Sequence, residues 1–412
     1  VSPQGKEADS ADQPASEATG RPEAGLGPAL GAVFFIAGIF FLGFLARTIV
    51  APMLPAVEHD LGLGHDESGA LFLFLSLGYV ASLLGSGLVS ARLNHRRTII
   101  LSTLTVGAAL LIVGLSHSLA GLRLGMLATG LAAGLYLPSG VAALTGLVSP
   151  RHWGKTLAIH EVAPNLGFVA APLVAEALLA WLSWRQVVLA MALVSALSGL
   201  AFARYGRGGE SRGQSPNLSA LRDLARLPAF WVMSVLFGLG VGASLGVYTM
   251  LPLYLVSEHA LERPEANLLV ALSRISGIGM AFAGGWASDR LGRRRVMAGA
   301  LGVSGVLTVL LGLATGTWLK VMVFLQPALI ACFFPAAFAT MSQLGSARSR
   351  SLAVSLSVAA AIVLGGGLIP AGMGWLGELG FFGAGLVAIG GLTLASLALV
   401  PRLDASISSQ EG

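Results

Sequence analysis

The charges of this chain come in bunches, and the stretches between them run for about 20 residues with almost no charge. A helix rises about 1.5 Å per residue, so each stretch is long enough to cross roughly 30 Å of hydrocarbon. Charged residues make up 11% of the chain, against about 25% in a soluble domain, which is too few to cover the surface of a protein this long. Hydrophobic residues reach 55%, and the mean hydropathy is +0.80. Lipid offers no partner to an unpaired backbone group, so the spans must be helices unless they close a barrel. A barrel would show short alternating segments, and none appear. The sequence therefore predicts an all-α membrane protein with twelve transmembrane helices. They fall near 30–54, 67–90, 98–116, 120–146, 155–180, 184–204, 229–255, 266–287, 296–314, 318–342, 351–376 and 379–400. Stretches such as "SPRHWGK" (149–155) and "EHALERPEAN" (258–267) punctuate them with proline and polar residues.

Basic residues set the orientation. With the N-terminus in the cytoplasm, 19 of the 25 lysines and arginines fall on that side. Arg185, Arg263 and Lys320 fall outside, and Arg47, Arg123 and Arg274 lie within spans. The positive-inside rule thus expects both termini in the cytoplasm of a multi-pass protein in a bacterial inner membrane. The formal net charge of +5 then reflects loop arginines, and no nucleic-acid partner is expected. Residues 1–27 are polar and aperiodic and lack the apolar core of a signal peptide, so they read as a disordered cytoplasmic tail. Residues 403–412 read as a C-terminal tail. The single cysteine, Cys332, lies inside span ten and excludes an intrachain disulfide.

The chain repeats itself at half length. "GLVSARLNHRR" (87–97) aligns with "GWASDRLGRRR" (285–295) at an offset of 198 residues, and the same offset carries Gly167 onto Gly365 and Pro172 onto Pro370. The expected architecture is two pseudo-symmetric six-helix bundles, 28–204 and 229–402, joined by a basic, Gly/Ser-rich cytoplasmic linker at 205–228. Internal repeats of this kind mark secondary transporters, with substrate held near the midplane between halves.

Twelve spans in two sixes, with "GGWASDRLGRRR" between spans eight and nine, resemble the major facilitator superfamily. Its loop motif G-x-L-x-D-R-x-G-R-R is matched by Gly285, Asp289, Arg290, Gly292, Arg293 and Arg294. The resemblance covers about 28–402. It implies alternating access between the two halves and a cytoplasmic charge latch on Asp289, with Gly285, Arg290 and Arg293 in the same motif. The first-half copy departs from the pattern: Ala91 stands where the acid belongs, Asn94 replaces glycine and His95 replaces arginine. No acid-based latch is expected there.

Arg47 lies in "FFIAGIFFLGFLARTIVAPMLP" (34–55), eight residues before Pro55, which places it roughly 12 Å below the expected outer end of its helix. Arg274, in "LLVALSRISGIGM", sits eight residues after the expected start of span eight. Span one runs outward and span eight inward, so both guanidiniums come out at similar depth. Two cations at one level are costly in lipid and reasonable in a wet central cavity that an anion enters. Guanidinium geometry suits a carboxylate or phosphate. Arg47 with Pro55 also looks like the span-one pattern of organophosphate and organic-anion transporters, where the arginine grips the anionic group; the partner lysines and histidines of those subfamilies have no match. A structural ion pair is the alternative for both arginines. Asn165, Tyr248 and Gln326 are further polar candidates at mid-span, with interhelical bonding as their alternative role.

Span five carries "AIHEVAPNLGFVAAPLVAEAL" (158–178), in which Glu161, Asn165, Pro172 and Glu176 share one helical face. A carboxylate within a span that takes and releases a proton is what ion coupling requires. Glu161 is the expected proton carrier, with desolvation and neighbouring His160 assisting, and a pair with Arg96 or Arg151 as the alternative. Glu176 is expected to pair with Arg185 or water. "APNLG" (163–167) half-matches the G-P-x-x-G-G motif of superfamily antiporters, through Pro164 and Gly167. The sequence holds no nucleotide loop, no H-E-x-x-H and no Cys/His cluster with metal spacing, so no enzyme activity, metal or cofactor is expected. The expected function is secondary active, proton-coupled transport of a small organic anion, a carboxylate, by a monomer in the bilayer. Proton-driven efflux of drugs or metabolites and a transporter-derived sensor are the alternatives.

Overall fold

The computed structural model describes residues 26–213, 224, 226–344 and 350–403. Residues 1–25 and 404–412 of the expected tails, and 214–223 and 225 of the linker, lie outside the described residues. Among the described residues the protein is all-helical, and twelve helices are long and apolar enough to cross a membrane. Spans one to six are Leu26–Leu61, His65–Leu93, His95–Gly114, Leu119–Leu147, Pro150–Leu179 and Trp184–Tyr205. Spans seven to twelve are Pro228–Ser257, Arg263–Leu291, Arg293–Leu313, Gly316–Met341, Ala353–Glu378 and Phe382–Leu399. Span one corrects the sequence reading, because it does not stop at Pro55. A 3-10 turn at Ala51–Met53 and a short helix at Leu54–Leu61 carry it on, with Pro52 and Pro55 in their first turns. Proline's missing N–H is harmless at such positions, so the prolines bend the span without ending it.

The repeat seen in sequence is a repeat in packing. Span one packs on five, two on four, three on six and three on four; seven on eleven, eight on ten, nine on twelve and nine on ten repeat that pattern six spans later. The two largest cross-half contacts, span two with eleven and span five with eight, exchange under the same rule. The backbone keeps the symmetry even where the motif is degenerate. Asn94 has φ 75° and Gly292 has φ 88°, at the 198-residue offset. This positive-φ, extended conformation is ordinarily glycine's, and the Asn94 side chain accepts from the Arg97 N–H at 2.9 Å, capping span three.

The bundle has a linker end, where span six hands over to seven, and a far end. At the far end the halves close on each other. A side chain at Gly69 would fall on the Pro370 carbonyl, and one at Gly374 on that of His65, so spans two and eleven approach to backbone contact. Glu378 accepts from the His65 N–H at 2.7 Å. Arg263 binds Glu176 in a two-pronged pair at 2.8 and 3.3 Å, and Asn267, fully buried, donates to Glu176 at 2.6 Å and to the Pro52 carbonyl at 3.0 Å. Glu176 therefore does not pair with Arg185, as expected from sequence. Arg185 turns instead to Asp60 and the Ser116 carbonyl. At the linker end, no ion pair among the described residues joins the halves.

Residues 206–213 fold back over the first half. Ser211 and Gly209 accept from the N–H groups of His95 and Arg96 at 3.1 and 2.7 Å, and the Gly213 N–H donates to Ser90 at 3.1 Å. Gly208 and Gly209, at φ 91° and 84°, allow the close approach. This segment thus lies on the loop whose acid is missing. On the other side, Leu224 is buried in the core of the second half.

Packing at Gly69 generates a first prediction. Gly69→Val should wedge spans two and eleven apart at the far end. With a cysteine at position 244 in a Cys332→Ser background, labelling by an impermeant thiol reagent from the far-end side should rise at least several-fold. Unchanged labelling in a folded variant would show that this contact does not hold the far end shut.

Candidate functional site

A cavity of about 470 Å³ lies between the halves. It reaches from Arg47, Ser244 and Arg274 at mid-span to Phe338 and Val358 near the linker end, and the closed far end forms its roof. The charged residues that line it are Arg47, Arg274 and Glu161, which leave one net positive charge. Both arginines singled out from sequence therefore share one chamber, one from each half.

Neither arginine has a carboxylate partner among the described residues. Arg274, 8% exposed, donates one nitrogen to the Ser244 carbonyl at 2.8 Å and another to Ser244 Oγ at 3.2 Å. Ser244 sits in a widened π turn, Gly242–Gly246, which interrupts span seven. The guanidinium carbon lies 4.8 Å from the ring centres of both Phe168 and Tyr248, and Nε is buried without a partner. Arg47 is half-buried, its Nε donates to the Gly43 carbonyl at 3.3 Å, and its guanidinium lies 5.0 Å from Phe44 and 4.6 Å from Tyr79. Ring faces attract a desolvated cation by about 2 kcal/mol or more without cancelling its charge. Phe44 and Phe168 meet edge-to-face at 4.9 Å across spans one and five, so two rings join the two guanidiniums in one continuous stack. Small voids flank Arg47 on either side, which gives its head room to move.

Two residues expected at the site stand behind it. Tyr248 is buried under Arg274, and its hydroxyl donates to the Phe168 carbonyl at 3.1 Å across the halves. Gln326 is buried within the second half, where its amide donates to the Ala243 carbonyl at 2.7 Å and to Thr308 at 3.1 Å. Both satisfy backbone that a kinked helix leaves open. Asn165 does line the cavity, with its amide turned to the Glu161 carbonyl at 3.0 Å.

Glu161 is not buried as expected: its side chain is 62% exposed, into the cavity. Its partner is neither Arg96 nor Arg151 but His160, whose Nδ1 lies 3.3 Å from Oε1. His160 is fully buried, stacked 4.1 Å from Phe40, and its Nε2 lies 3.3 Å from the Tyr136 hydroxyl. Tyr136 spends its one hydrogen on the Ile36 carbonyl at 2.7 Å, so Nε2 must be the donor to the tyrosine oxygen. Nδ1 and the Glu161 oxygen then face each other with lone pairs unless one proton sits between them.

In the second-half motif the acid is not engaged. Asp289 is exposed and makes no ion pair or hydrogen bond among the described residues. Arg290 lies over Trp286 at 4.7 Å, Arg293 donates to the Ala339 carbonyl at 3.3 Å, and Gly285 faces Pro335. What sequence reasoning missed is the aromatic lining. Phe44, three residues before Arg47, was a legible i, i+3 neighbour. Tyr79 and Phe168 reach the arginines, and the span-ten phenylalanines reach the chamber, only through tertiary packing.

The Major Facilitator Superfamily model matches residues 36–286 and 247–411. The chain belongs to that superfamily. Among curated relatives it is 23% identical over 277 residues to a protein of Cupriavidus necator named "probable sulfoacetate transporter", covering 62% of this chain and 64% of that one. It is 24% identical over 286 residues to a "probable nitrate/nitrite transporter" of Mycobacterium tuberculosis (65% and 69%), and 26% identical over 257 residues to a "probable 4-methylmuconolactone transporter" of Cupriavidus pinatubonensis (59% of each). The chain thus spans less than two thirds of the first of these relatives. A bacterial homologue of the human lysosomal transporter Spinster, crystallised in an inward-facing, occupied conformation, superposes with a TM-score of 0.81 at 16% identity, over 93% of this chain and 98% of that one. At that identity the likeness is one of fold.

The unpaired state of Asp289 makes a second prediction. If the motif latches only when the linker end closes, Asp289→Asn should leave the present state intact and weaken the opposite one. Labelling of a cysteine at position 244 from the far-end side should then fall, about tenfold for each 1.4 kcal/mol of lost latch energy. A folded variant that loses transport with labelling unchanged would assign Asp289 to some other role.

Proposed function

We propose that this superfamily member is a secondary active transporter of a small organic anion, a carboxylate in the simplest case, coupled to protons. The observation that carries the reading is the pair Arg47 and Arg274: two desolvated cations, one per half, in a chamber whose only acid among the described residues is bound to a histidine. A structural arginine in a membrane core is ordinarily paired with an acid; these are cushioned by rings and carbonyl groups and keep their charge for a guest. The anions in the names of two relatives, sulfoacetate and nitrate/nitrite, support the same reading. With both termini in the cytoplasm, the open linker end faces the cytoplasm, and the molecule is inward-facing. The His160–Glu161 pair supports proton coupling, since its geometry calls for a shared proton at the cavity wall. A protonated pair raises the charge of the chamber and favours the anion, so proton and anion travel together. The protein acts as a monomer in the inner membrane, and rocking of the halves exposes the site alternately.

Arg47→Lys and Arg274→Lys keep the charge and lose the planar, stacked fork. Each should weaken anion binding at least tenfold in purified protein; unchanged affinity in both would remove the anion clamp. Glu161→Gln should abolish accumulation driven by a pH gradient in proteoliposomes and spare anion exchange at equal concentrations. Gradient-driven accumulation that persists in this variant would place the proton elsewhere, and accumulation against an outward-directed gradient would favour efflux.

A further inference from the structure

Two guanidiniums would serve nitrate or acetate as well as any larger anion, but the wall between them and the mouth of the cavity is not suited to a hydrated ion. Phe237 lies seven residues before Ser244 on span seven, roughly 10 Å nearer the mouth. Phe334 and Phe338 of span ten stand edge-on to it at 5.8 and 5.0 Å, and all three rings line the chamber. Phe338 is 44% exposed. The polar groups nearer the mouth, Glu161 and Asn165, belong to span five in the opposite half. The chamber is thus cationic at its inner end and aromatic along the second-half wall. A small ion would leave those rings wet, at a cost of about 25 cal/mol for each Å² of apolar surface, whereas a guest with an apolar body would cover them.

We infer that the substrate is an organic anion with a ring-sized apolar body. Its head sits against Arg47 and Arg274, and its body lies on Phe237, Phe334 and Phe338. This inference rests on the anion reading above. Edge-to-face contact with the phenylalanines favours an aromatic ring over a flexible chain.

The test is equilibrium titration of the full chain in nanodiscs, at fixed pH and ionic strength, with four probes: 3-phenylpropionate, acetate, nitrate and the neutral 3-phenyl-1-propanol. Phenylpropionate should bind at least tenfold more tightly than each of the other three. Acetate or nitrate binding within twofold of phenylpropionate would overturn the apolar seat and leave the anion site standing. Phenylpropanol binding as well as phenylpropionate would overturn the anion reading itself. No binding of phenylpropionate at millimolar concentration would overturn the inference outright. Phe338→Leu and Phe334→Leu separate a seat from general hydrophobicity: each should cut the preference for phenylpropionate over acetate at least threefold with acetate affinity unchanged. A preference that survives in both folded variants would remove the body from that wall.

Discussion

Glu176 reaches from the first half to Arg263 and Asn267 of the second, and the rest of the molecule is arranged around that closure. A two-pronged pair with a third donor is costly to break in a partly buried setting, because the acid would be left without partners. Beside it, glycine lets spans two and eleven come within backbone distance. Polar pinning and close packing act at the same end, so the bundle is shut there and splayed at the other. The cavity, its mouth and the disengaged Asp289 all follow from this one-sided closure. The pin also couples to the site, because Asn267 holds the Pro52 carbonyl in the bend of span one, a short distance beyond Arg47.

The two arginines illustrate how a membrane protein keeps a charge available. A carboxylate partner would stabilise each cation and remove it from use. Ring faces and single carbonyl groups do less, and leave a field that a guest can satisfy. The stack from Arg47 through Phe44 and Phe168 to Arg274 crosses the boundary between halves. Both rings belong to the first half, so a rocking of one half against the other would act on the contact between Phe168 and Arg274, and the two charges would part or approach with it.

Much of this was legible in the sequence, because a bilayer reduces folding to a problem of length and charge. The twelve spans, the half-length repeat and the two intramembrane arginines follow from spacing alone, and the repeat reappears in packing and in the matched φ angles of Asn94 and Gly292. What failed was the attempt to assign environments from helical position. Glu161 was expected to be buried because it lies two turns inside a span, yet a span that borders a cavity has a wet face at any depth. Tyr248 and Gln326 were polar at mid-span and were expected at the site. Their function is to satisfy backbone and neighbours around kinked helices, which no one-dimensional pattern shows. The pairings of Glu176 and Arg185 were misjudged for a related reason. Proximity along the chain suggested that they meet, and the fold sends each across to a different span.

The segment 206–213 is bound to the first half, and Leu224 is buried in the second. The connection that was expected to run over 205–228 is therefore spliced at both ends, and only residues 214–223 remain between the two anchor points. The eleven steps of chain from Gly213 to Leu224 can span no more than about 40 Å when fully extended. That length is a mechanical stop. However far the halves swing open at this end, Gly213 and Leu224 cannot part beyond that reach without one anchor peeling away. The anchor made only of backbone hydrogen bonds to Ser90, His95 and Arg96 would yield before one packed into a hydrophobic core.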